Sequence, residues 1–451
     1  MSKPTLIKIL IALLFALAAA LGLLRYAKDP YSPKTLSYAG VSDGNFEDYI
    51  NRANNIVSKA PIQSTATFLA VGDIMLSRKV AKAMEENENW LLPYSNFEDT
   101  LSKVDFAFGN LESPFNGTEY YNPAETLVFN APLKAIEGLK LNNFQVLNLA
   151  NNHAFDQGQK GLRYTENLLD EFNIQHIGTG STTKEAFKPA VVEQNGIKIC
   201  FIGTSYASIN DSGKTKNDFV ARIEDLENLK SAITNLKSQC DFTVASMHAG
   251  TEYTYKPNKT QIAFAHAAID YGADMVIGHH PHWIQTIERY CPKGQGTLPL
   301  SPPGGDVTSN VTERVTNKAN EPDEGANYCS NPKYIFYSLG NFIFDQMWSK
   351  ETTEGLALKI NLSKIGCHPG NPNAAEGYPG SSSYNLDAGS GAGMTQGACA
   401  SDLQGPRTPA ALDQIELIPV IIENFSTPRP ATPEETKKIL QKIGETTALL
   451  K

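Results

Sequence analysis

Three of the chain's eight histidines lie within four residues of one another. They are His279, His280 and His282, and they follow a short apolar run that ends at Gly278. The run predicts a buried strand, and the glycine allows the backbone to turn sharply at its end. Neutral imidazoles presented at such a turn are the commonest protein ligands for Zn, Mn or Fe. The cluster therefore indicates a metal site, although a His-rich loop that binds nothing has the same composition.

Further polar side chains stand directly after other predicted strands. Ligands of α/β sheets gather beyond the carboxyl ends of the strands, so these side chains are expected to share one rim with the histidine cluster. Asp, Asn, Glu and His together form the ligand set of a divalent metal centre. Asp73 follows the strand predicted over 65–71, and Asn110 and Glu112 follow the strand over 104–108. Asn152, His153 and Asp156 follow the strand over 145–149. His248 and Glu252 follow the strand over 242–247, and Asn341 follows the strand over 334–339.

Most of these residues also have an ordinary structural explanation. Asp73 and Asp156 lie close to glycines and suit turns. His153 and His248 suit histidines that are satisfied within a core, and Glu252 suits a solvated carboxylate. Taken together, and in order along one edge, the residues favour a metal centre.

Segments of helical periodicity alternate with the predicted strands, which is typical of a layered α/β domain. These segments cover 161–172, 222–238 and 259–271. Two later apolar runs, 356–362 and 414–422, have no helix between them and predict antiparallel strands.

We place the globular domain at 65–425. Within it, 291–332 and 364–410 are rich in Gly, Pro, Asn and Ser and are interpreted as long surface insertions. A C-terminal helix is expected over 426–451, because Thr432 and the acidic residues after it form a capping box with proline at the first helical position.

The N-terminus carries an apolar stretch, 9–24, with basic residues on both sides. We interpret residues 1–28 as an uncleaved signal anchor, and the alternative is a cleaved signal peptide. Residues 29–64 are polar and contain several prolines, and they are expected to act as a linker to the domain.

Charge and cysteine content limit the class of protein. The net charge of −9 argues against a nucleic-acid surface, which is normally basic. Four cysteines lie in polar, Gly/Pro-rich segments and suggest the pairs Cys291–Cys329 and Cys367–Cys399, although four cysteines allow three connectivities. Cys200 and Cys240 lie in or beside apolar runs and are expected to be core residues. With the anchor, the bridges place the bulk of the chain outside the cytoplasm.

The motifs in combination resemble the CapA family of poly-γ-glutamate capsule biosynthesis proteins, within the calcineurin-like metallophosphoesterase superfamily. The resemblance rests on the Asn151-Asn152-His153 block, the 278–282 block and the 338–342 block, and it extends from about 66 to 362. It implies a four-layer α-β-β-α sandwich with two divalent ions, Mn, Fe or Zn, at the sheet edge.

The resemblance also implies roles for individual residues. Asp73, Asn152 and His248 correspond to metal ligands, and His153 corresponds to the residue that assists the leaving group. The final ligands are most simply His280 and His282, and the choice between His279 and His280 stays open. Glu252, His279 and Asn341 are assigned to substrate contact or to support of the ligands.

Two departures from the superfamily pattern concern one half of the centre. Met75 stands where a histidine is usual, and a thioether is a poor ligand for Mn or Zn. The usual bridging aspartate is replaced by Asn110 or Glu112, of which the glutamate has the carboxylate that bridging requires.

The expected function is that of an anchored extracytoplasmic protein of capsule or envelope polymer synthesis with a metal-dependent hydrolase site. Two metals would clamp a phosphate ester and activate water, while His153, oriented by Asp156, protonates the leaving oxygen. The rival is a non-catalytic subunit that binds an anionic polymer or metal and assists a membrane-bound poly-γ-glutamate ligase and export complex. Hydrolysis of an amide bond in a γ-linked polymer is a third possibility.

Overall fold

The computed structural model describes residues 62–121, 126–206, 219–293, 297–298, 328–329, 331–366 and 409–448. The expected anchor (1–28), nearly all of the linker (29–64) and the Cys367–Cys399 pair lie outside these residues. Within the described ranges, no helix combines the length and the apolar character needed to cross a membrane.

Strands account for most of the regular structure. In chain order they are β1 (Ile62–Ile74), β2 (Phe106–Leu111), β3 (Phe144–Asn148), β4 (Gln175–Ile177), β5 (Ala190–Gln194), β6 (Ile197–Ser205), β7 (Phe242–His248), β8 (Met275–His279), β9 (Ile287–Tyr290), β10 (Thr297–Leu298), β11 (Tyr328–Cys329), β12 (Lys333–Phe336), β13 (Asn341–Ile343), β14 (Glu354–Gly366), β15 (Ala411–Glu423) and β16 (Thr427–Pro430).

Helices connect many of the strands. They are α1 (Arg78–Glu86), α2 (Glu98–Leu101), α3 (Ala135–Leu141), α4 (Gly158–Glu171), α5 (Thr183–Ala186), α6 (Leu226–Leu236), α7 (Lys259–Tyr271) and α8 (Pro433–Ala448), with 3-10 turns at Leu92–Tyr94 and Glu351–Thr353. The predicted helix 259–271 is confirmed in full, since Asn258 and Gln261 form a capping box and Gly272 ends the helix with φ of 119°. The predicted helix 222–238 starts later, because Asp225 caps it.

The strands form two large sheets. The first has the order β16-β15-β14-β1-β2-β3-β4, with β13 also paired to β1, and the second has the order β5-β6-β7-β8-β12-β9. The strands β1 to β4 are parallel, as are β6, β7 and β8. The antiparallel pairing predicted for the late strands is confirmed by β14 and β15. Because β16 pairs with β15, the first sheet continues beyond residue 425.

The two sheets pack face to face. Phe68, Phe106 and Phe108 of the first sheet share one buried cluster with Phe201 of the second, and the Phe108 and Phe201 rings stack with centroids 5.0 Å apart. The alternate residues of the same strands point outward, as the two-residue period of a strand requires.

The outward faces are covered by helices. Leu69 and Leu147 of the first sheet pack with residues of α1, α3 and α4, and Ile202 and Ala245 of the second sheet pack with α6 and α7. The order is therefore helices, sheet, sheet, helices, in agreement with the expected α-β-β-α layers.

Two disulfides lie in the described part of the chain. Cys291–Cys329 is bonded, as predicted. Cys200 and Cys240 are also bonded to each other, so the expectation of simple core residues was incomplete. Both are buried on the helix-covered side of the second sheet, where the turn after α6 brings Cys240 back beside β6. Sequence context indicated their burial correctly but could not indicate this approach.

Candidate metal centre

The register of the parallel strands places polar residues in two short rows, and Asn148 among them was not predicted. In the first sheet, Asp73 of β1 pairs with Asn110 of β2, which pairs with Asn148 of β3. In the second sheet, His248 of β7 pairs with His279 of β8. Because the sheets pack face to face, the two rows meet at the same rim, as expected for carboxyl ends of parallel strands.

Asp73, Glu112 and His248 form a group of side chains in the described ranges that could hold a metal ion. One possible ligand atom from each lies within 4.8 Å of the others, and all three residues are fully buried. His248 Nε2 is 3.8 Å from Glu112 Oε1, and His248 Nδ1 is 3.9 Å from Asp73 Oδ1. These separations leave room for an ion between the side chains.

Asn152 and His153 complete this side of the group. Asn152 Oδ1 lies 2.7 Å from His248 Nε2, and His153 Nε2 lies 3.7 Å from Glu112 Oε1. The other nitrogen of His153, Nδ1, is 2.8 Å from Asp156 Oδ2. The predicted orientation of His153 by Asp156 is thus present in the structure.

The three clustered histidines also converge on the group. His279 Nδ1 is 3.5 Å from Asp73 Oδ1, His282 Nδ1 is 3.6 Å from Asp73 Oδ2, and the His280 ring centroid is 4.8 Å from that of His248. The loop adopts left-handed backbone angles at His280 (φ 96°) and His282 (φ 58°), which are costly for non-glycine residues. Such strain is concentrated at functional sites in proteins.

Several buried polar atoms of this group have no hydrogen-bond partner among the described residues. They are both carboxylate oxygens of Glu112, both ring nitrogens of His279, and Nδ1 of His280. Unpaired buried polar atoms are rare and costly, and here they cluster at one point. The donor set of carboxylate oxygens, an amide oxygen and imidazole nitrogens matches Mn, Fe or Zn. The residues present therefore fit a divalent metal.

The buried carboxylates and imidazoles of this group have shifted pKa values. Burial and the neighbouring Asp73 raise the pKa of Glu112 well above its ordinary value. Burial also acts to raise the pKa of Asp73, but the approach of His279 outweighs it and the net pKa is lowered. Burial lowers the pKa of His248 well below its ordinary value and that of His280 to about 3. The latter two imidazoles are therefore neutral near pH 7, which is the form that binds metals.

Asn110 lies within the group, but its side chain is already engaged. Its Nδ2 donates to Asp73 Oδ1 (2.9 Å) and lies 3.1 Å from His248 Nδ1. Its Oδ1 accepts from Asn148 Nδ2 at 2.9 Å. Asn110 therefore positions Asp73 and His248, and Glu112 has the free oxygens.

Met75 does not take part in the group. It is fully buried in the hydrophobic cluster between the first sheet and its helices, and its sulfur accepts the backbone N–H of Ser77. The chain thus has no side chain at position 75 that offers a metal ligand at the rim.

The remaining predicted residues lie at the edge of the centre. Asn341 Oδ1 is 2.9 Å from His282 Nδ1, and Asn341 Nδ2 donates to the Thr352 carbonyl, so Asn341 orients that imidazole. Glu252 is exposed, as expected for a rim carboxylate.

Phe129 and Arg78 were not identified from the sequence. The Phe129 ring stacks on His153 with centroids 4.0 Å apart, and its backbone N–H donates to Asp156 Oδ2 at 2.6 Å. The Arg78 guanidinium lies 4.9 Å from the Phe129 centroid and forms a buried ion pair with Asp345. Arg78 follows Asp73 by five residues, and this spacing was the only signal in the sequence.

The chain is similar to proteins named for capsule synthesis. Residues 67–346 match the family model described as bacterial capsule synthesis protein PGA_cap. The PGA biosynthesis protein CapA of Bacillus subtilis (strain 168) is 30% identical over 298 residues, covering 66% of this chain and 67% of that protein. The capsule biosynthesis protein CapA of Bacillus anthracis is 28% identical over 297 residues, covering 64% of this chain and 62% of that protein.

Among solved structures, the 5'-nucleotidase precursor from Thermus thermophilus is similar with a TM-score of 0.35 and 16% identity, covering 66% of this chain and 51% of that chain. The family match and the Bacillus subtilis relative agree with the resemblance carried by the sequence motifs. The chain belongs to the bacterial capsule synthesis protein family PGA_cap, the CapA family.

Proposed function

We propose that this chain is a membrane-anchored, extracytoplasmic CapA-like protein of poly-γ-glutamate capsule or envelope polymer biosynthesis and export. In this proposal it has the metallophosphoesterase type of sandwich and a two-metal site of the hydrolase type. The names of the Bacillus relatives support the pathway. The packing order of helices and sheets supports the fold type.

The observation that carries the metal site is Glu112. This carboxylate is fully buried, and neither oxygen has a hydrogen-bond partner in the described part of the chain, which is unfavourable unless a cation binds it. The nearest imidazole nitrogens, on His153 and His248, lie 3.7 Å and 3.8 Å away, which is too far for hydrogen bonds.

The ligands in this proposal are Asp73, Glu112, Asn152, His248 and two of the three clustered histidines, with Asn110 as their support. Divalent ions held there would supply Lewis acidity and stabilise negative charge on the oxygens of a phosphate or carbonyl group.

His153 supplies the proton chemistry. Asp156 engages Nδ1 and the Phe129 ring fixes the plane, so Nε2 faces Glu112 and the centre. A proton held at Nε2 is placed for transfer to a leaving oxygen.

The proposed location rests on the N-terminal segment and the disulfides. Residues 1–28 have the composition of a signal anchor. Two disulfides in the described ranges support an oxidising compartment, since such bonds are rare in the cytoplasm.

A second candidate is a non-catalytic subunit that binds polymer or metal within a membrane-bound synthesis and export complex. Burial of Met75 in the core and engagement of the Asn110 oxygen favour it. Both positions carry ligands in the superfamily pattern, so their loss weakens one half of a two-metal site.

Metal analysis and turnover assays of the full chain test the proposal. The protein is incubated with Mn, Zn or Fe, freed of excess metal, and assayed on phosphomonoesters, phosphodiesters and poly-γ-glutamate. His248→Gln is the test variant, and His266→Gln, whose Nε2 contacts Glu288 outside the centre, is the matched control. At least one ion per chain that is lost only in His248→Gln, together with turnover, supports a hydrolase.

The other outcomes are equally informative. Bound metal without turnover, with polymer affinity lost in His280→Gln, supports the subunit. Less than about one ion per chain after reconstitution contradicts the metal site.

A further inference from the structure

A group of aromatic side chains extends outward from the metal centre. We call Tyr253, Trp283 and Trp348 the aromatic wall. The planes of the Tyr253 and His282 rings are inclined at 28°, with centroids 5.9 Å apart. Trp348 meets Tyr253 edge to face at 4.7 Å, and Trp283 does so at 6.4 Å. The wall is therefore in contact with a histidine of the cluster.

Packing of the protein alone does not account for the wall. Trp348 is 60% exposed, although it is the largest apolar side chain and lies beside a polar site. Tyr253 has a left-handed backbone (φ 59°), and the indole nitrogen of Trp283 is buried without a partner among the described residues. The left-handed backbone and the unpartnered indole nitrogen are unfavourable for the folded protein, and such features are concentrated at functional sites.

Polar groups accompany the wall at its edge. Gln346 Nε2 donates to the Tyr253 hydroxyl at 3.2 Å, so the amide and the phenol are held together beside the exposed indole. Glu252 precedes Tyr253 and is exposed. Aromatic faces bordered by carboxylate and amide groups suit a ligand that has both apolar C–H faces and hydroxyl groups.

Charge disfavours a polyanion on this surface. Glu252 is an exposed acid, Glu112 is buried in the adjoining centre, and Asp156 is partly buried beside His153. Lys350, two residues from Trp348, is paired with Glu354, and Arg78 is paired with Asp345. A ligand of the wall is therefore expected to be uncharged where it touches the rings.

We propose that the aromatic wall is a sugar subsite that stacks a pyranose ring and presents a glycan to the adjoining centre. Trp348 provides the open face, Tyr253 supports it, and Glu252 and Gln346 provide hydrogen bonds to ring hydroxyls. The subsite deepens the proposed function, on which it rests for the chemistry, by naming a glycan-bearing envelope polymer or precursor as the ligand.

Titration of the full chain with defined ligands tests the subsite. The probes are a neutral N-acetylglucosamine tetrasaccharide, maltotetraose, poly-γ-glutamate, and vesicles of phosphatidylglycerol. Binding is followed by calorimetry and by tryptophan fluorescence, with and without added Mn. Trp348→Ala is the test variant because its side chain is mostly exposed, so its removal leaves the core intact. Leu141→Ala, at 69% exposure on α3, is the matched control.

We expect a neutral oligosaccharide to bind the wild type and Leu141→Ala equally, and Trp348→Ala at least tenfold more weakly. Metal content should be the same in all three proteins. Absence of oligosaccharide binding, or binding that Trp348→Ala leaves unchanged, overturns the subsite. Binding of poly-γ-glutamate or vesicles through Trp348 in place of the sugar overturns it as well.

The metal measurement separates this proposal from the preceding one. A wild type that retains metal but binds no oligosaccharide refutes the subsite alone. A wild type that binds oligosaccharide through Trp348 but retains no metal refutes the metal site alone.

Discussion

The two sheets contribute different chemistry to one centre. The first sheet supplies the carboxylate half, formed by Asp73, Asn110 and Glu112. The second sheet supplies the imidazole half, formed by His248 and the cluster at 279–282. In the carboxylate half, Asn110 bonds to both of its neighbours in the strand register, while Glu112 bonds to no side chain in the described ranges. In the imidazole half, left-handed backbone at two residues turns the rings toward the first sheet.

Neither half of the centre is complete alone. The approach of His279 keeps the Asp73 pKa low, and the backbone N–H of His280 donates to Asp73 Oδ2 at 3.2 Å. Metal and a proton compete for the Glu112 carboxylate, whose pKa is raised by burial and by Asp73, so metal affinity should rise with pH. The hydrophobic packing between the sheets is what brings the halves together.

The largest expected effect comes from removing the unpartnered carboxylate. Glu112→Gln keeps the shape but loses the charge, and metal affinity should fall about 100- to 1000-fold, which is about 3–4 kcal/mol. Competition with a chelator measures it. Glu252→Gln, at the exposed rim, is the control and should change affinity less than about threefold. Equal affinities for wild type and Glu112→Gln would show that Glu112 is not a ligand.

A second substitution tests whether the side chain at position 75 belongs to the carboxylate half. Met75→His restores the superfamily residue, but the side chain lies in the helix-side core. We expect the free energy of unfolding to fall by about 2–3 kcal/mol, because a polar ring is buried without a partner. The metal content should stay that of the wild type. A gain of one ion per chain would show that this position faces the centre after all.

A third change gives position 110 a carboxylate, as Glu112 has. Asn110→Asp replaces a donor to Asp73 by a like charge, so the metal-free protein should lose about 1–2 kcal/mol of stability. Bound metal should reverse this loss, because the new carboxylate can bridge. Thermal unfolding with and without Mn measures both, and equal destabilisation in the two conditions would contradict the bridging geometry.

The fourth prediction concerns the imidazole half. Burial lowers the His280 pKa to about 3, whereas an unfolded histidine has a value near 6.5. Between those values the unfolded chain binds the extra proton, so this group makes stability fall as pH falls, by about 1.4 kcal/mol per pH unit. His280→Gln should flatten the pH dependence of metal-free unfolding by that slope between pH 6 and 4. Urea titrations at several pH values measure it, and an unchanged slope would contradict a neutral, buried His280.

The sequence predicted the strand ends well because strand period and terminal polar residues are local. Asp73, His153, His248 and the 279–282 cluster were therefore placed on one rim correctly. Local patterns could not indicate that Met75 packs into the core, since the alternation is interrupted at Asp73 and Ile74. Local patterns also could not indicate that Phe129 stacks on His153, because the conformation of a loop brings the two residues together.

The Cys200–Cys240 disulfide was missed for a similar reason. The two cysteines are 40 residues apart, and only the parallel pairing of β6 with β7 brings them within a Cα distance of 6.0 Å. Burial is readable from an apolar context, whereas proximity depends on tertiary packing.

Anomalous diffraction at the absorption edge of the bound metal tests most directly whether the two halves form one metal centre. Crystals of the chain loaded with Mn or Zn should give a peak enclosed by Asp73, Glu112 and His248, at about 2.0–2.3 Å from the ligand atoms. A metal-loaded crystal with no peak at that position would contradict a shared metal centre. A peak elsewhere in the protein, with Glu112 not bound to the metal, would contradict it as well.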